Sequence, residues 1–436
     1  MIGLPMGVSV NGSRRLLVLD TSYSLETIRL NKLEDSVTCR DLDGYFERVW
    51  TVHPFATLVT SAGWSGKYGR PVTSPLAARH VFIEGKVGRF AALAALPPIN
   101  FCLAQGDVLF RLVRLVRDNQ ISVVRAGDPL LMGLYGWAIA RLCGIPFVVR
   151  VAGNYELIRQ QTGRPLMPRL LRSVRVERAI ERFVLSRADL VAAANEDNLR
   201  YAMAMGASRE RATVFRYGNL VNRLHFVDPA LRTGGTEALA QLGLGGRRFL
   251  LCVSRLEPVK MPDHAVRSLA LVRAQGMDVA LLMVGGGSMR PELEILAKDL
   301  GVADHVIFAG ERNQEWLAGV IPQAAVALSP ITGRALSELA LAGAPTVAYD
   351  IDWQGELIRS GVTGHLVKAG DVAAMARAAA GLLADAPQAR RLGGQLRAAA
   401  LTMMDPERLD EHERTQYTDL FVRFGVAQGA ISNAHS

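Results

Sequence analysis

Arg255 and Lys260 follow an apolar run, Phe249–Val253, in the segment SRLEPVK (254–260). A guanidinium fork and an ammonium point charge converging from one loop match the oxygens of a diphosphate. A second segment, SPITGRALSELALAGAP (329–345), runs from a strand end through a turn into a helix. At Thr332-Gly333-Arg334-Ala335 the free N–H groups of the helix start attract phosphate, and Gly333 lets the backbone approach closely. Glu338, just inside that helix, is placed to accept hydrogen bonds from vicinal ribose hydroxyls. Together these groups suit a nucleoside diphosphate. If it is the leaving group of a sugar transfer, cations already in place favour the charge that grows on its oxygen. The same residues read one by one are two surface cations, one paired with Glu257, and an acidic residue in an early helical turn.

Two further patterns carry weaker chemistry. Gly285-Gly286-Gly287-Ser288 follows a strand and precedes a helix. Gly286 and Gly287 would line a donor pocket or simply form a tight turn, and the full dinucleotide fingerprint is absent. Asp350-Ile351-Asp352 has the form of a metal-binding pair, but its place after a strand of this alternation favours two turn carboxylates, and no metal site is expected.

Apolar strands alternating with helical segments position these residues. Strands are expected at 16–19, 49–52, 122–124, 147–151, 190–194 and 213–217, then at 249–253, 279–284, 306–309, 325–328 and 346–349. Helices are expected at 130–143, 290–300, 335–342, 372–384 and 407–424, and the last dozen residues are expected to fray. This alternation predicts an α/β fold of parallel βαβ units, which bind ligands beyond the carboxyl ends of their strands. The loop-rich stretch after Gly218-Asn219 reads as an interdomain linker.

The chain's 436 residues exceed what one core usually supports, so two domains are expected. Four scattered cysteines exclude a disulfide framework and fit a reducing cytosol. No signal peptide is evident, and the apolar stretch 90–104, broken by Pro97 and Pro98, is too short to span a bilayer. Residues 1–236 hold 31 Lys and Arg against 19 Asp and Glu, a net of +12, whereas residues 237–436 hold 19 against 22. A basic first half suggests an anionic partner. Arg159, Arg164, Arg169, Arg172, Arg175, Arg178, Arg182 and Arg187 crowd one segment, read either as a membrane-surface helix or as a solvated helix that pairs Glu177 and Glu181. Nucleic acid is not expected as a partner, since no binding motif is present.

The second half resembles the donor-binding domain of the retaining GT-B glycosyltransferases of family 4. The matching pieces are Arg216-Tyr217-Gly218-Asn219 through Phe226, SRLEPVK, MVGGGSMRPELEILAKDLGVADHVIFAG, SPITGRALSELALAGAP, and GVTGHLV with Asp371. The resemblance implies two Rossmann-like domains facing a cleft. Their expected bounds are 1–225 for the acceptor-binding domain, 226–247 for a linker and 248–405 for the nucleotide-sugar-binding domain, with 406–436 as a helix crossing back and its tail. It implies that Arg255 and Lys260 bind the donor diphosphate, that Glu338 binds ribose, and that the loop after Phe308 contacts the nucleotide. It also implies metal-independent transfer with retention and no cofactor. The basic first half suggests a saccharide or lipid-linked acceptor in surface glycoconjugate synthesis. The protein is expected in the cytoplasm or at the inner face of the membrane.

Three departures bear on that resemblance. Pro330 stands where the family has a glutamate that contacts the donor sugar, and Gly333-Arg334 is the local substitute. No histidine stands at either active-site position usual in the first half, after Gly127-Asp128-Pro129 or at Ala152-Gly153-Asn154. Asp128 is then the nearest titratable group for orienting the acceptor or removing its proton, unless it is only a turn-making Asp-Pro, and His53 is a weaker candidate. A sugar-nucleotide epimerase or hydrolase of the same architecture and a non-catalytic binding homologue are the alternatives.

Overall fold

A computed structural model describes residues 14–30, 33–58, 66–217 and 221–425. Gly218, Asn219 and the tail 426–436 lie outside the described residues. The chain divides into two compact units. The first comprises 1–156, 164–216 and 407–436, and the second 157–163 and 217–406.

The first unit carries β1 (Arg15–Leu19), β2 (Arg48–His53), β3 (Val72–Ala77), β4 (His80–Glu84), β5 (Val123–Ala126), β6 (Phe147–Val151), β7 (Leu190–Ala193) and β8 (Ala212–Val214). They form one sheet in the order β3-β4-β2-β1-β5-β6-β7-β8, parallel except for β3 against β4. Period-two alternation sends Leu17 and Leu19 to one core and Leu16 and Val18 to the other. The second core is completed by Tyr417, Leu420 and Phe421 of the helix Pro406–Arg423. Arg125 on β5 donates to Glu413 Oε1 at 2.8 Å, an ion pair buried on both sides.

The strands β3 and β4 were not foreseen. Val72–Ala77 is largely exposed and contains Pro75, so it lacks the apolar run that marks a buried strand. Pro97 and Pro98 divide the apolar stretch 90–104 at the start of a helix. They open the helix Pro97–Asp118, where a missing N–H leaves no bond unmade. Among the described residues no helix is long and apolar enough to cross a membrane.

The second unit carries β9 (Phe249–Val253), β10 (Ala280–Val284), β11 (Val306–Gly310), β12 (Val326–Ser329), β13 (Thr346–Asp350) and β14 (His365–Lys368). All are parallel, in the order β11-β10-β9-β12-β13-β14. The chain builds outward from β9 through β10 and β11, then returns to β12 on the other side of β9. The strand order therefore reverses between β9 and β12, where Leu250 pairs with Val326. Such a switch point leaves an opening at the carboxyl ends of the two strands.

The stretch 226–247 folds as part of the second unit rather than as a linker. Its helix, Gly235–Gln241, sends Leu239 into the core that holds Leu317 and Val320. Arg232 donates to the carbonyls of Val227 and Leu341, and Arg397 also donates to Leu341. Two guanidinium groups thus cap the carboxyl end of the helix Ala335–Leu341, where cations are favourable.

Candidate active site

The loop after β9 leaves the sheet at Ser254 and makes one tight turn, Pro258–Lys260. Met261 adopts φ 50°, and the helix Pro262–Ala274 begins. This geometry leaves Arg255 exposed and Lys260 half-buried. Glu257 is held chiefly by Ser288, and the Arg255 charge adds to keeping its carboxyl below the usual range. Its carboxylate accepts from Ser288 N at 3.0 Å and Ser288 Oγ at 2.8 Å. Burial pushes the Lys260 ammonium below its ordinary range, Asp352 opposes that, and Arg255 adds like-charge repulsion. Lys260 thus has an opposite charge, Asp352, and a like charge, Arg255, near it.

The loop after β12 is pinned from below. Ser329 Oγ lies 2.6 Å from Thr332 Oγ1 and also bonds Gln354. Gln354 Nε2 donates to the carbonyls of Pro330 at 2.9 Å and Tyr349 at 3.0 Å. Gly333 then turns at φ 64°, and a β-carbon there would lie 3.2 Å from Lys260 Nζ. The two loops that the sequence separates by some seventy residues therefore meet at the switch point.

Glu338 lies in the first turn of the helix Ala335–Leu341 and is 6% exposed. Burial raises its carboxyl above the usual range, while Arg334 and a side-chain hydrogen bond from Gln314 favour the charged form. Arg334 itself is exposed and Ala335 is half-buried at the helix start. Pro330 is buried, so its position is filled by a ring that offers no hydrogen bond.

The glycine triplet has a structural explanation. A β-carbon on Gly285 would lie 2.0 Å from the Ser254 carbonyl oxygen, and one on Gly287 2.4 Å from that of Leu256. Both residues let the backbone press against SRL, and Leu256 N donates to the Gly286 carbonyl at 2.8 Å. Gly286 differs, since a β-carbon there meets only the flexible Glu311 side chain at 3.1 Å. Phe308, on β11, has the Arg290 guanidinium 5.6 Å from its ring centre.

Asp128 belongs to the first unit, beyond β5. Its Oδ1 accepts from Leu130 N at 2.8 Å and Met132 N at 3.3 Å, capping the helix Leu131–Cys143. Burial pushes its carboxyl up to about 7 despite those bonds, with Asp20 contributing repulsion. Asp20, at the end of β1, is held by Arg40 and Ser22, and it also faces His53. His53 is wholly buried with neither ring nitrogen hydrogen-bonded, and burial pushes it down to about 4. The ends of β1, β2 and β5 thus gather Asp20, His53 and Asp128, and Asp20 carried no motif by which the sequence marks it.

Asp350 ends β13, and Asp352 turns at φ 57° toward Lys260. Among the described residues no three His, Cys, Asp or Glu side chains form a metal-binding group.

The chain matches the family model for glycosyl transferases group 1 over residues 236–398 and that for the glycosyl transferase 4-like domain over 48–218. It is 30% identical over 309 residues to the GDP-mannose-dependent alpha-(1-6)-phosphatidylinositol monomannoside mannosyltransferase of Mycolicibacterium smegmatis, covering 68% of this chain and 76% of the relative. The chain belongs to the group 1 glycosyltransferases. A D-inositol 3-phosphate glycosyltransferase of Nocardia farcinica is 32% identical over 233 residues, 50% of each chain. Among solved structures, Anabaena HepE in complex with UDP superposes with a TM-score of 0.67 at 18% identity, covering 93% of this chain and 100% of that one. Sucrose-phosphate synthase from Thermosynechococcus elongatus gives 0.71 at 18% identity, covering 94% and 100%. The fold of this glycosyltransferase is therefore that of GT-B enzymes, and its group uses nucleotide sugars.

Proposed function

We propose that the second unit binds the nucleoside diphosphate of a sugar donor through Arg255, Lys260 and Gly333, with Glu338 on the ribose. The observation that carries this is the approach of Lys260 Nζ to Gly333 at the switch point. A cation, a close-approach backbone and a buried carboxylate lie there in the order phosphate, phosphate, ribose. Phe308 and Gly286 border the nucleotide, and Arg334 and Ala335 face the diphosphate from the helix start.

In the reaction we infer, the acceptor hydroxyl oxygen forms a bond to the anomeric carbon as the bond to the diphosphate oxygen breaks. The diphosphate leaves with both electrons of that bond, and the acceptor's proton passes to it on the same face, which retains configuration. Arg255 and Lys260 offset the charge that grows on the leaving oxygen. No metal is required by this arrangement. Asp128 has a second carboxylate oxygen for an acceptor hydroxyl, because only Oδ1 is used in capping.

The acceptor class we favour is a lipid-linked saccharide used in surface glycoconjugates. The name of the mycobacterial relative, a mannosyltransferase acting on a phosphatidylinositol mannoside, supports both a mannosyl donor and a glycolipid acceptor. Arg164, Arg169, Arg172, Arg175 and Arg182 are exposed on the first unit, which suits an anionic lipid surface on the cytoplasmic side. Glu177 and Glu181 are buried: Glu177 accepts from Leu166 N and Met167 N, and Glu181 from the Tyr201 hydroxyl.

Nucleotide release from GDP-mannose and UDP-glucose, measured with a glycolipid extract as acceptor, tests the reading. Arg255→Ala and Lys260→Ala are expected to lower turnover at subsaturating donor by at least about tenfold each, as for loss of a charged hydrogen bond. Unchanged turnover in both would refute the phosphate assignment.

A further inference from the structure

Between Phe90 and Gly106 the chain carries no charged side chain. The stretch runs through the short turn Ala91–Leu93 into the helix Pro97–Asp118. It lies at the surface all the same: Phe90, Leu96, Ile99 and Leu103 are exposed, and Phe110 beyond them is 67% exposed. One side of the helix is accounted for, since Val108, Leu112 and Val116 enter the core of the first unit. On the other side Ile99, Leu103, Gly106 and Phe110 recur at intervals of four, three and four, which is one stripe of an α-helix. The outward face of a solvated helix ordinarily carries charge. On this stripe charge begins only at Arg114 and Arg117.

The apolar surface is fixed from beneath. Asn100 and Gln105 are the two amide side chains of the stretch, and both are buried. Asn100 Oδ1 accepts from Arg89 N at 2.6 Å and Phe90 N at 2.9 Å, and its Nδ2 donates to Phe90 O at 2.7 Å. Gln105 Nε2 donates to Lys86 O at 3.1 Å, and its Oε1 accepts from the Tyr135 hydroxyl at 2.8 Å. Both amides are turned inward, which leaves apolar side chains and the Cys102 thiol outside. An exposed apolar patch held in this way marks a docking surface.

The rim of the patch points to its occupant. Asp107, the first acidic residue after the stretch, is bridged by Arg89 at 3.3 Å and by Arg111 at 3.0 Å. At the other edge Gly69 N donates to Gly88 O at 3.0 Å, which brings the exposed Lys67 and Arg70 alongside. Tyr68 closes on Gly88, where a β-carbon would lie 2.5 Å from its ring. An apolar centre edged by cations complements an anionic lipid surface, whereas a protein partner's interface is edged by mixed polar groups.

We propose that Phe90–Leu103, together with Phe110, is an interfacial anchor that sinks its apolar side chains into the headgroup boundary of an anionic phospholipid bilayer. The inference deepens the reading of a lipid surface for the first unit and rests on it. The helix is not long and apolar enough to cross a membrane, so the anchor lies along the interface. Arg164, Arg169, Arg172 and Arg175 supply long-range attraction that salt screens, and this stretch supplies the part that salt does not. Stable attachment takes both signals.

The test is co-sedimentation with vesicles of phosphatidylcholine and phosphatidylserine at low and at 0.5 M salt. Wild type is expected to bind at low salt and to keep a measurable fraction at 0.5 M. Leu96→Gln, Ile99→Gln and Leu103→Gln combined are expected to lower the partition coefficient by roughly a hundredfold and to leave nothing bound at 0.5 M. The three side chains are exposed, so Tm is expected to hold. Should that variant melt low, Phe110→Ser alone gives a smaller loss in the same direction. Cys102 is the exposed one of the four cysteines, and a nitrobenzoxadiazole label on it is expected to brighten on the vesicles.

Wild type that binds no vesicles sinks the lipid reading and the anchor together. If arginine variants lose binding while the Gln variant keeps it, the anchor is refuted and the lipid reading stands. A label that stays dim on vesicle-bound protein likewise overturns the anchor. So does a Gln variant that binds vesicles normally but turns from dimer to monomer in sedimentation velocity, because the patch is then a contact between copies of the chain.

Discussion

Lys260 and Gly333 occupy adjacent strand ends of one sheet, so near that a single added methyl group at Gly333 would stand 3.2 Å from the ammonium nitrogen. Gly333 also turns at φ 64°, a conformation that costs a residue with a β-carbon roughly 1–2 kcal/mol. Gly333→Ala is therefore expected to raise the donor KM about tenfold while lowering Tm by only a few degrees. Initial rates across donor concentrations, with a melting curve for the same protein, check this.

Glu338 supplies a pH dependence of known sign. Burial raises its folded carboxyl above the unfolded value, so its contribution to stability is fully present below the unfolded value and is lost as pH rises through the folded one. Glu338→Gln is accordingly expected to melt higher than wild type at pH 8, with the gap closing as pH falls below 5. Donor affinity runs the opposite way in wild type, weakening on acidification as the carboxylate is protonated. Melting curves and nucleotide titrations over pH 4–8 read both slopes.

The glycine triplet separates packing from binding. Gly285→Ala and Gly287→Ala drive a β-carbon into backbone oxygens at positive φ, and each is expected to cost several kcal/mol, on the scale of severe single-site defects. Gly286→Ala meets only the movable Glu311 carboxylate, so its Tm is expected to stay within about 2 °C, less than 1 kcal/mol for a unit of this size. A fall in donor affinity in that variant alone identifies Gly286 as lining the nucleotide. Differential scanning calorimetry with parallel nucleotide titration distinguishes the three.

Asp128 joins a cap to a carboxyl pushed up to about 7. Its stabilising contribution is present below the unfolded value near 4 and is lost as pH rises through 7. Asn caps as well as Asp, so Asp128→Asn is expected to gain on the order of 1 kcal/mol over wild type at pH 8. If its free oxygen serves the acceptor, kcat falls by about a hundredfold in the same protein. Undiminished kcat with raised Tm would leave Asp128 a helix cap and nothing more.

The exposed arginines make a surface prediction. Replacing Arg164, Arg169, Arg172 and Arg175 by Gln is expected to release the protein from phosphatidylserine-containing vesicles, at roughly 1 kcal/mol for each cation near the surface. Co-sedimentation at low and at 0.5 M salt reads the change. Equal sedimentation of the two proteins would remove the lipid surface from the account of this face.

Most of the fold was legible because parallel strands buried on both faces are continuous apolar runs, as Phe249–Val253 is. The strand-end placement of Arg255, Lys260 and Gly333 was legible for a related reason, since such loops carry their residues in contiguous segments. What escaped was whatever acts across sequence distance. Gln354 holds the loop of Pro330 from about two dozen residues away, and His225 meets Gln314 from far along the chain. No local spacing announces such partners. The stretch 226–247 misled because glycines and short turns look alike in a tether and in a cap, and Arg232 shows its purpose only beside the Leu341 carbonyl. The glycine triplet reads both ways from sequence, because a close approach to protein backbone demands the same residue as a close approach to phosphate.

Helix Pro406–Arg423 has a consequence for biosynthesis. The first sheet is translated early, yet one face of its core waits for Tyr417, Leu420 and Phe421, and Arg125 waits for Glu413. A nascent chain that has already emerged through residue 405 still exposes that apolar face and holds an uncompensated cation within it. The second unit, closed by Pro406, has no such debt to later sequence. The half of the protein made first is thus the half finished last, and chaperone occupancy on the ribosome is expected to persist on the early segment until the final helix clears the exit tunnel.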